Sequence, residues 1–288
     1  MACGAHTWAS KMNDTLEYSV LALGLLMVLH IGLLHSVERK AYDSVHAQFG
    51  TNSIVQVLMV PAGVFGLEAN HWRDITISVK NAELNNLPLS LHPHSSWRGE
   101  IDQLKLRIRH LDLSGISVDR MDARIPAVTY DAGTAVTRGQ LQLRSAGDGT
   151  ASIWVGSIGL QEFIARKYAR LLRSVRVRIT DGHVYIAAQL NLLGSWFPFK
   201  GRFALRVQGN RYVYLAHPVV SLNHQPATTG LSKAVAQQVN PVLDTVTDLG
   251  LQGVFRLRSL SIQGNEIQFL GSMNLPVAAV TYDRKKDQ

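Results

Sequence analysis

Ile77–Leu84 (ISVKNAEL), Leu106–Leu113 (LRIRHLDL) and Phe255–Ile262 (FRLRSLSI) spell nearly the same phrase, and its alternation slips by one residue at the same place each time. Side chains of a strand alternate between faces with period two, so Ile77 and Val79 share a face while Ala82 and Leu84 would fall on the other. A β-bulge at Lys80-Asn81, Arg109-His110 or Arg258-Ser259 returns the apolar set to one face and bends the strand there. A sheet bent repeatedly in this way is expected to wrap around something, whether a core, a substrate or a lipid.

Outward from these phrases the pattern is mostly β. Ile54 to Val60 reads as a strand closed by Pro61, and further strands cover Asp74 to Leu84, Glu100 to Leu113 and Met121 to Tyr130, with Pro126 at an edge or a bend. Gln140 to Arg144 and Thr150 to Val155 read as a hairpin through Gly147-Asp148-Gly149, and Asp181-Gly182, Gly209-Asn210 and Gly264-Asn265 mark three more. Helical spacing appears in three places. Ser36 to Phe49 puts Val37, Tyr42, Val45 and Phe49 on one face. From Ser157, read as an N-cap, Leu160, Phe163, Ile164, Tyr168, Leu171 and Leu172 form an apolar stripe backed by Arg166, Lys167, Arg170 and Arg173. Gly230 to Leu249 carries Leu231, Val235, Val239, Val242, Val246 and Leu249 at steps of three and four, interrupted at Asn240-Pro241, where the helix must kink or break. The order is α+β without βαβ units, and no Gly-x-Gly-x-x-Gly or Walker-type loop is present.

The chain of 288 residues is 46% hydrophobic with a formal charge of +8, and the segment before His35 is slightly acidic, so the remainder carries +9. A basic surface favours lipid headgroups, nucleic acid or acidic glycans, although a solvated basic surface needs no ligand. The single cysteine, Cys3, permits no internal disulfide and no cysteine-based metal site. Tyr18 to Leu34 is uncharged over 17 residues, about the shortest run that crosses a bilayer. No small-x-small cleavage site comes after it, which favours a retained signal anchor over a cleaved signal peptide or a buried helix. Lys11 on one side and Arg39-Lys40 on the other leave the topology unsettled by charge. The expected organisation is a tail over 1–17, a transmembrane anchor over 18–35, a domain over 36–276 and a basic tail over 277–288.

No enzyme signature survives inspection. His92-Pro-His94 sits in a loop-like context without the third and fourth ligands a metal needs. Gly156-Ser157-Ile158-Gly159 lacks the spacing of a nucleophile elbow, and Glu83, Glu100, Asp102 and Asp112 read as solvent-side partners of arginines. The basic faces Lys105-Arg107-Arg109 and Arg176-Arg178 could follow phosphates, but aliphatic rather than aromatic residues alternate with them, which argues against nucleic acid. Two readings of the apolar stripes remain: a closed core, or a groove sized for acyl chains.

Ile75 to Leu84 followed by Leu87-Pro-Leu89, the second such phrase, LLRSVRVRITDG over Leu171–Gly182 and VNPVLD over Val239–Asp244 together resemble the LmeA-like phospholipid-binding family, over about Ser36 to Pro276. The resemblance implies a TULIP-like fold, an α+β architecture in which a strongly curved, bulged antiparallel sheet wraps long amphipathic helices around an apolar interior for acyl chains. It also implies an extracytoplasmic place in the cell envelope, a role in envelope lipid or lipoglycan maintenance or transport, and no catalytic residues. The resulting expectation is a membrane-tethered, non-enzymatic phospholipid-binding protein without cofactor, with no nucleic-acid partner. Val235, Val239, Val242, Val246, Phe163 and Ile164 are expected to line the lipid site, and Arg166, Lys167, Arg170 and Arg173 to face anionic headgroups. The alternatives are an envelope interaction protein with a closed core and a basic face, and a hydrolase with a dispersed site.

Overall fold

The computed structural model describes residues 53–63, 70–84, 91, 97–138, 142–192 and 194–276, together with Arg39, Tyr42, Asp43, His46 and Phe49, which are helical. The loop around His92-Pro-His94, the run over 18–35 and the tail after Pro276 lie outside the described residues. Among those described, no helix is long and apolar enough to cross a membrane.

The described residues form fourteen strands in two sheets. The larger has the order β1 (Ile54–Pro61), β2 (His71–Leu84), β3 (Arg98–Leu113), β4 (Ile116–Asp131), β6 (Gly149–Gly156), β14 (Glu266–Met273) and β13 (Phe255–Gln263), with β5 (Leu143–Ser145) also on β4. The smaller runs β11 (Gln225–Pro226), β10 (Tyr212–Leu222), β9 (Ser195–Gln208), β8 (His183–Leu192) and β7 (Leu172–Thr180), with β12 (Leu243–Asp244) on β10. Three short helices accompany them: α1 (Ala132–Arg138), α2 (Ser157–Lys167) and α3 (Thr229–Val239).

The bulges sit where the alternation slips. Asn81 and His110 have φ of 58° and 51°, and the β13–β14 register shifts between Leu257 and Ser259. Val79, Ala82, Ile108, Leu111 and Leu113 are consequently all buried, while Lys80, Asn81, Arg109 and His110 are exposed. The wrapped architecture, however, does not form. β2 and β3 run parallel, with Val79 beside Ile108, Lys80 beside Arg109 and Ala82 beside Leu111, so two copies of the phrase lie side by side and their bulges coincide. Bulges that coincide keep the ladder in register, so the strands kink together and the sheet is not strongly curled.

The α+β reading with long helices is also overturned, because the fold is mostly β and α2 and α3 have 11 residues each. α2 stops at Lys167 because Leu172 begins a strand whose β-branched alternation outlasts the helical stripe. Ser157 is its first residue rather than its cap; its hydroxyl accepts a hydrogen bond from the Ile179 amide instead. α3 is capped by Thr228, whose side chain accepts from the Leu231 amide, and it ends ahead of Pro241. Beyond Pro241 the chain forms β12 and turns rather than a second helix. Asn240 acts as a strand substitute: its Oδ1 accepts from the Leu215 amide at 2.8 Å and its Nδ2 donates to the Leu215 carbonyl at 3.0 Å. The expected β5–β6 hairpin is likewise absent, since both strands pair with β4, on either side of the exposed Pro126 and of Ala127 with its φ of 50°.

One hydrophobic core joins the two sheets and the helices. Val184, Ile186, Ala188 and Leu190 of β8, with Phe199 and Phe203 of β9, turn inward onto α2 and α3, which leaves the other face of the smaller sheet, among the described residues, without a helix upon it.

Candidate functional site

Cross-strand register builds the uncovered face of the smaller sheet into two rows. Arg176 (β7), Ala187 (β8), Lys200 (β9) and Ser221 (β10) stand side by side, and next to them Arg178, Tyr185, Arg202 and Val219. In each row cations on β7 and β9 flank a small or aromatic residue on β8. With strands about 4.8 Å apart, the two cationic columns are separated by roughly 9.6 Å. Between them lies an open, predominantly apolar groove of about 480 Å³ that also reaches Val177, Ile186, Val220 and Pro226. A shallower extension of about 210 Å³ continues past Ser174, Gln189, Pro198 and His224.

Gly201 lets the sheet close beneath this groove. A Cβ there would come within 2.4 Å of the Phe203 ring and 3.0 Å of the Phe199 ring, so only glycine leaves room for both phenylalanines on the buried side.

Electrostatics distinguish this face from the rest of the surface. From Leu172 to Leu222 the sequence carries seven lysines and arginines and one acidic residue, Asp181. Arg178 lies over the Tyr185 ring at 5.1 Å, and among the described residues Arg176, Lys200 and Arg202 enter no ion pair. The larger sheet is different: Lys105 meets Asp74 at 2.6 Å, Arg107 has Asp122 as its cross-strand neighbour, and Arg120 lies 3.6 Å from Asp122. Its cations are interleaved with acids. An anion approaching the smaller sheet finds charge that no carboxylate among the described residues has already neutralised.

The residues expected to line a lipid site are placed elsewhere. Ile164, Val235, Val239 and Val242 converge beneath the smaller sheet with Tyr168, Phe199 and Phe203 around an enclosed space of about 20 Å³. That is room for about one water molecule and none for an acyl chain. Phe163 is buried on α2, and Val246 is half-buried in the turn after β12, where its amide donates to Asp244. Nor do the four cations behind the α2 stripe share one helical face. Arg166 donates to the Gly115 carbonyl, Lys167 pairs with Asp248, Arg170 lies in the turn after α2, and Arg173 belongs to β7. Arg173 donates to Gln189 and lies 4.2 Å over the Trp196 ring, beside the groove's extension.

A polar corner fixes the chain below the groove. The half-buried Tyr168 hydroxyl donates to the carbonyls of Val239 and Pro241 at 2.7 and 3.0 Å, and desolvation, aided by the Asp248 charge, pushes its pKa up. Arg211 donates two hydrogen bonds to Asp244 and, chiefly through them, holds that carboxyl well below the usual carboxylate range. A depressed carboxyl stabilises the fold fully above its unfolded value of ~3.9 and loses that contribution as pH falls through the folded value. Asp244→Asn is therefore expected to be less stable than the parent in urea titrations at neutral pH, with the gap closing in strong acid. A gap independent of pH would refute the pairing.

Among the described residues, no group of three histidine, cysteine, aspartate or glutamate side chains is placed to hold a metal ion. The sequence reading singled out Arg176 and Arg178 as a basic strand face but missed Lys200 and Arg202 opposite them. The signal available was the scarcity of acids over Leu172–Leu222. Residues 97–272, more than half of the chain and inclusive of both rows, match the family model described as LmeA-like phospholipid-binding. No curated protein and no solved structure matches.

Proposed function

This chain belongs to the LmeA-like phospholipid-binding family, and from that premise we propose that it holds an anionic phospholipid on the outer face of the smaller sheet. The observation that carries the proposal is the pair of rows Arg176–Ala187–Lys200 and Arg178–Tyr185–Arg202, which set an apolar floor between unpaired cations. An acyl chain lies along the floor while the phosphate is held by charge-assisted hydrogen bonds from the flanking guanidinium and ammonium groups. Each methylene withdrawn from water contributes about 0.8 kcal/mol, whether it enters a bilayer or a groove. An open groove of this kind favours exchange of lipid over permanent retention, and no bond in the ligand is made or broken.

In this reading the apolar run over 18–34 attaches the chain to a membrane, the domain works outside the cytoplasm, and its role is maintenance or transport of envelope lipid or lipoglycan. The closed interior and the basic face also support the second reading, an envelope protein that binds an acidic partner. Native mass spectrometry of the full chain, followed by lipid extraction, separates the two. Anionic phospholipid at near-stoichiometric yield is the expected result. A lipid-free protein that takes up no fluorescent acyl probe would remove the lipid reading.

A further inference from the structure

We propose that the end of the β8–β9 hairpin is the surface by which this protein docks on an anionic bilayer, an inference that rests on the groove reading and adds the place at which lipid enters. Trp196 and Phe197 are consecutive in a strand and so project to opposite faces of the hairpin, and Phe197 is 37% exposed. Trp196 lies beneath the Arg173 guanidinium, and Arg170 and Arg173 are both exposed. No acidic residue occurs between Asp181 and Asp244.

Aromatic rings with an apolar body, beside arginines that reach phosphate, are suited to the headgroup layer of a membrane. The two ends of the sheet differ in this respect. The opposite end carries the polar turns Asp181-Gly182 and Gly209-Asn210, and Asp181 is the one acid from Leu172 to Leu222. Gln189 and Pro198, which line the groove's extension, are cross-strand partners and lie one pair inward from Leu190 and Phe197. The groove therefore opens at the aromatic end, so a docked hairpin places its mouth against the bilayer.

The test uses the full chain with Cys3→Ser and an environment-sensitive fluorophore at Phe197→Cys, or at Gln208→Cys on the far end as control. The protein is mixed with phosphatidylcholine vesicles with or without phosphatidylglycerol. At position 197 the emission is expected to shift to the blue and to be quenched by nitroxide-labelled acyl chains only when phosphatidylglycerol is present, with no response at 208. Equal responses at both positions, or none at 197, overturn docking.

An unlabelled Trp196→Ser, Phe197→Ser variant separates docking from binding. Its uptake of lipid from phosphatidylglycerol vesicles is expected to slow at least tenfold, since even partial insertion of two aromatic side chains is worth more than the ~1.4 kcal/mol of a tenfold change. Its affinity for lysophosphatidylglycerol below the micelle concentration stays as in the parent. An unchanged uptake rate, or a parallel fall in that affinity, overturns the proposal. A parent protein that docks at 197 yet takes up no lysophosphatidylglycerol leaves docking standing and removes the groove reading.

Discussion

Deletion of His110 is expected to unfold the protein, whereas His110→Gly leaves its stability nearly unchanged. His110 is the exposed extra residue of the second bulged phrase, with a φ of 51° that glycine adopts without strain. Its removal shifts the rest of β3 by one position, which turns Leu111 and Leu113, now 1% and 0% exposed, toward solvent and the Asp112 carboxylate toward the core. Exposing two fully buried leucines costs about 3–6 kcal/mol, before the added penalty of a buried carboxylate. A domain of this kind has roughly 5–15 kcal/mol in total. The glycine variant keeps the residue count, and a surface change of that sort stays within about 0.5 kcal/mol. Urea denaturation of the two variants beside the parent distinguishes residue count from residue identity. A deletion variant as stable as the parent would show that the bulge does not hold the apolar register.

The double variant Arg176→Ala, Lys200→Ala is expected to weaken binding of anionic lipid by about 100-fold, at the lower end of what two lost charge-assisted hydrogen bonds imply because both groups face solvent. These residues flank Ala187 in one row and both are exposed, so the fold should be unaffected. A fluorescent probe with the same acyl chain and no phosphate should bind both proteins equally, because the floor of the groove is intact. Added salt should weaken the parent's affinity for the anionic lipid more steeply than the variant's, since screening acts on all four cations of the parent and only on Arg178 and Arg202 in the variant. Equal affinity of parent and variant for anionic lipid would remove the headgroup role of this face.

The two predictions draw on different kinds of legibility. The bulges were readable because the slip from Val79 to Ala82, or from Ile108 to Leu111, is a local departure from period two, and burial punishes any other register. The turns at Asp181-Gly182, Gly209-Asn210 and Gly264-Asn265 were readable because positive φ selects those residues, and the structure has positive φ at Asp181, Gly182, Gly209, Asn210 and Gly264. The groove was not readable from periodicity. Arg176 and Lys200 are 24 positions apart, and only strand order brings both beside Ala187. The helical stripes misled for a related reason: a spacing of three and four shows which residues are buried but not what buries them. Val235 and Val239 meet Phe199 and Phe203 of the smaller sheet.

The sequence by itself determined the alternation, the bulges, the hairpin turns and the break at Pro241, each set by the backbone preferences and faces of residues a few positions apart. The tertiary structure decided that two copies of the bulged phrase pair in parallel, so that the larger sheet kinks without curling around a helix. It also decided that, among the described residues, one face of the smaller sheet carries no helix, with cations from separate strands aligned across it. Strand pairing is a competition among distant segments for the same backbone hydrogen bonds, and local periodicity, which is alike in all of them, does not choose the partner.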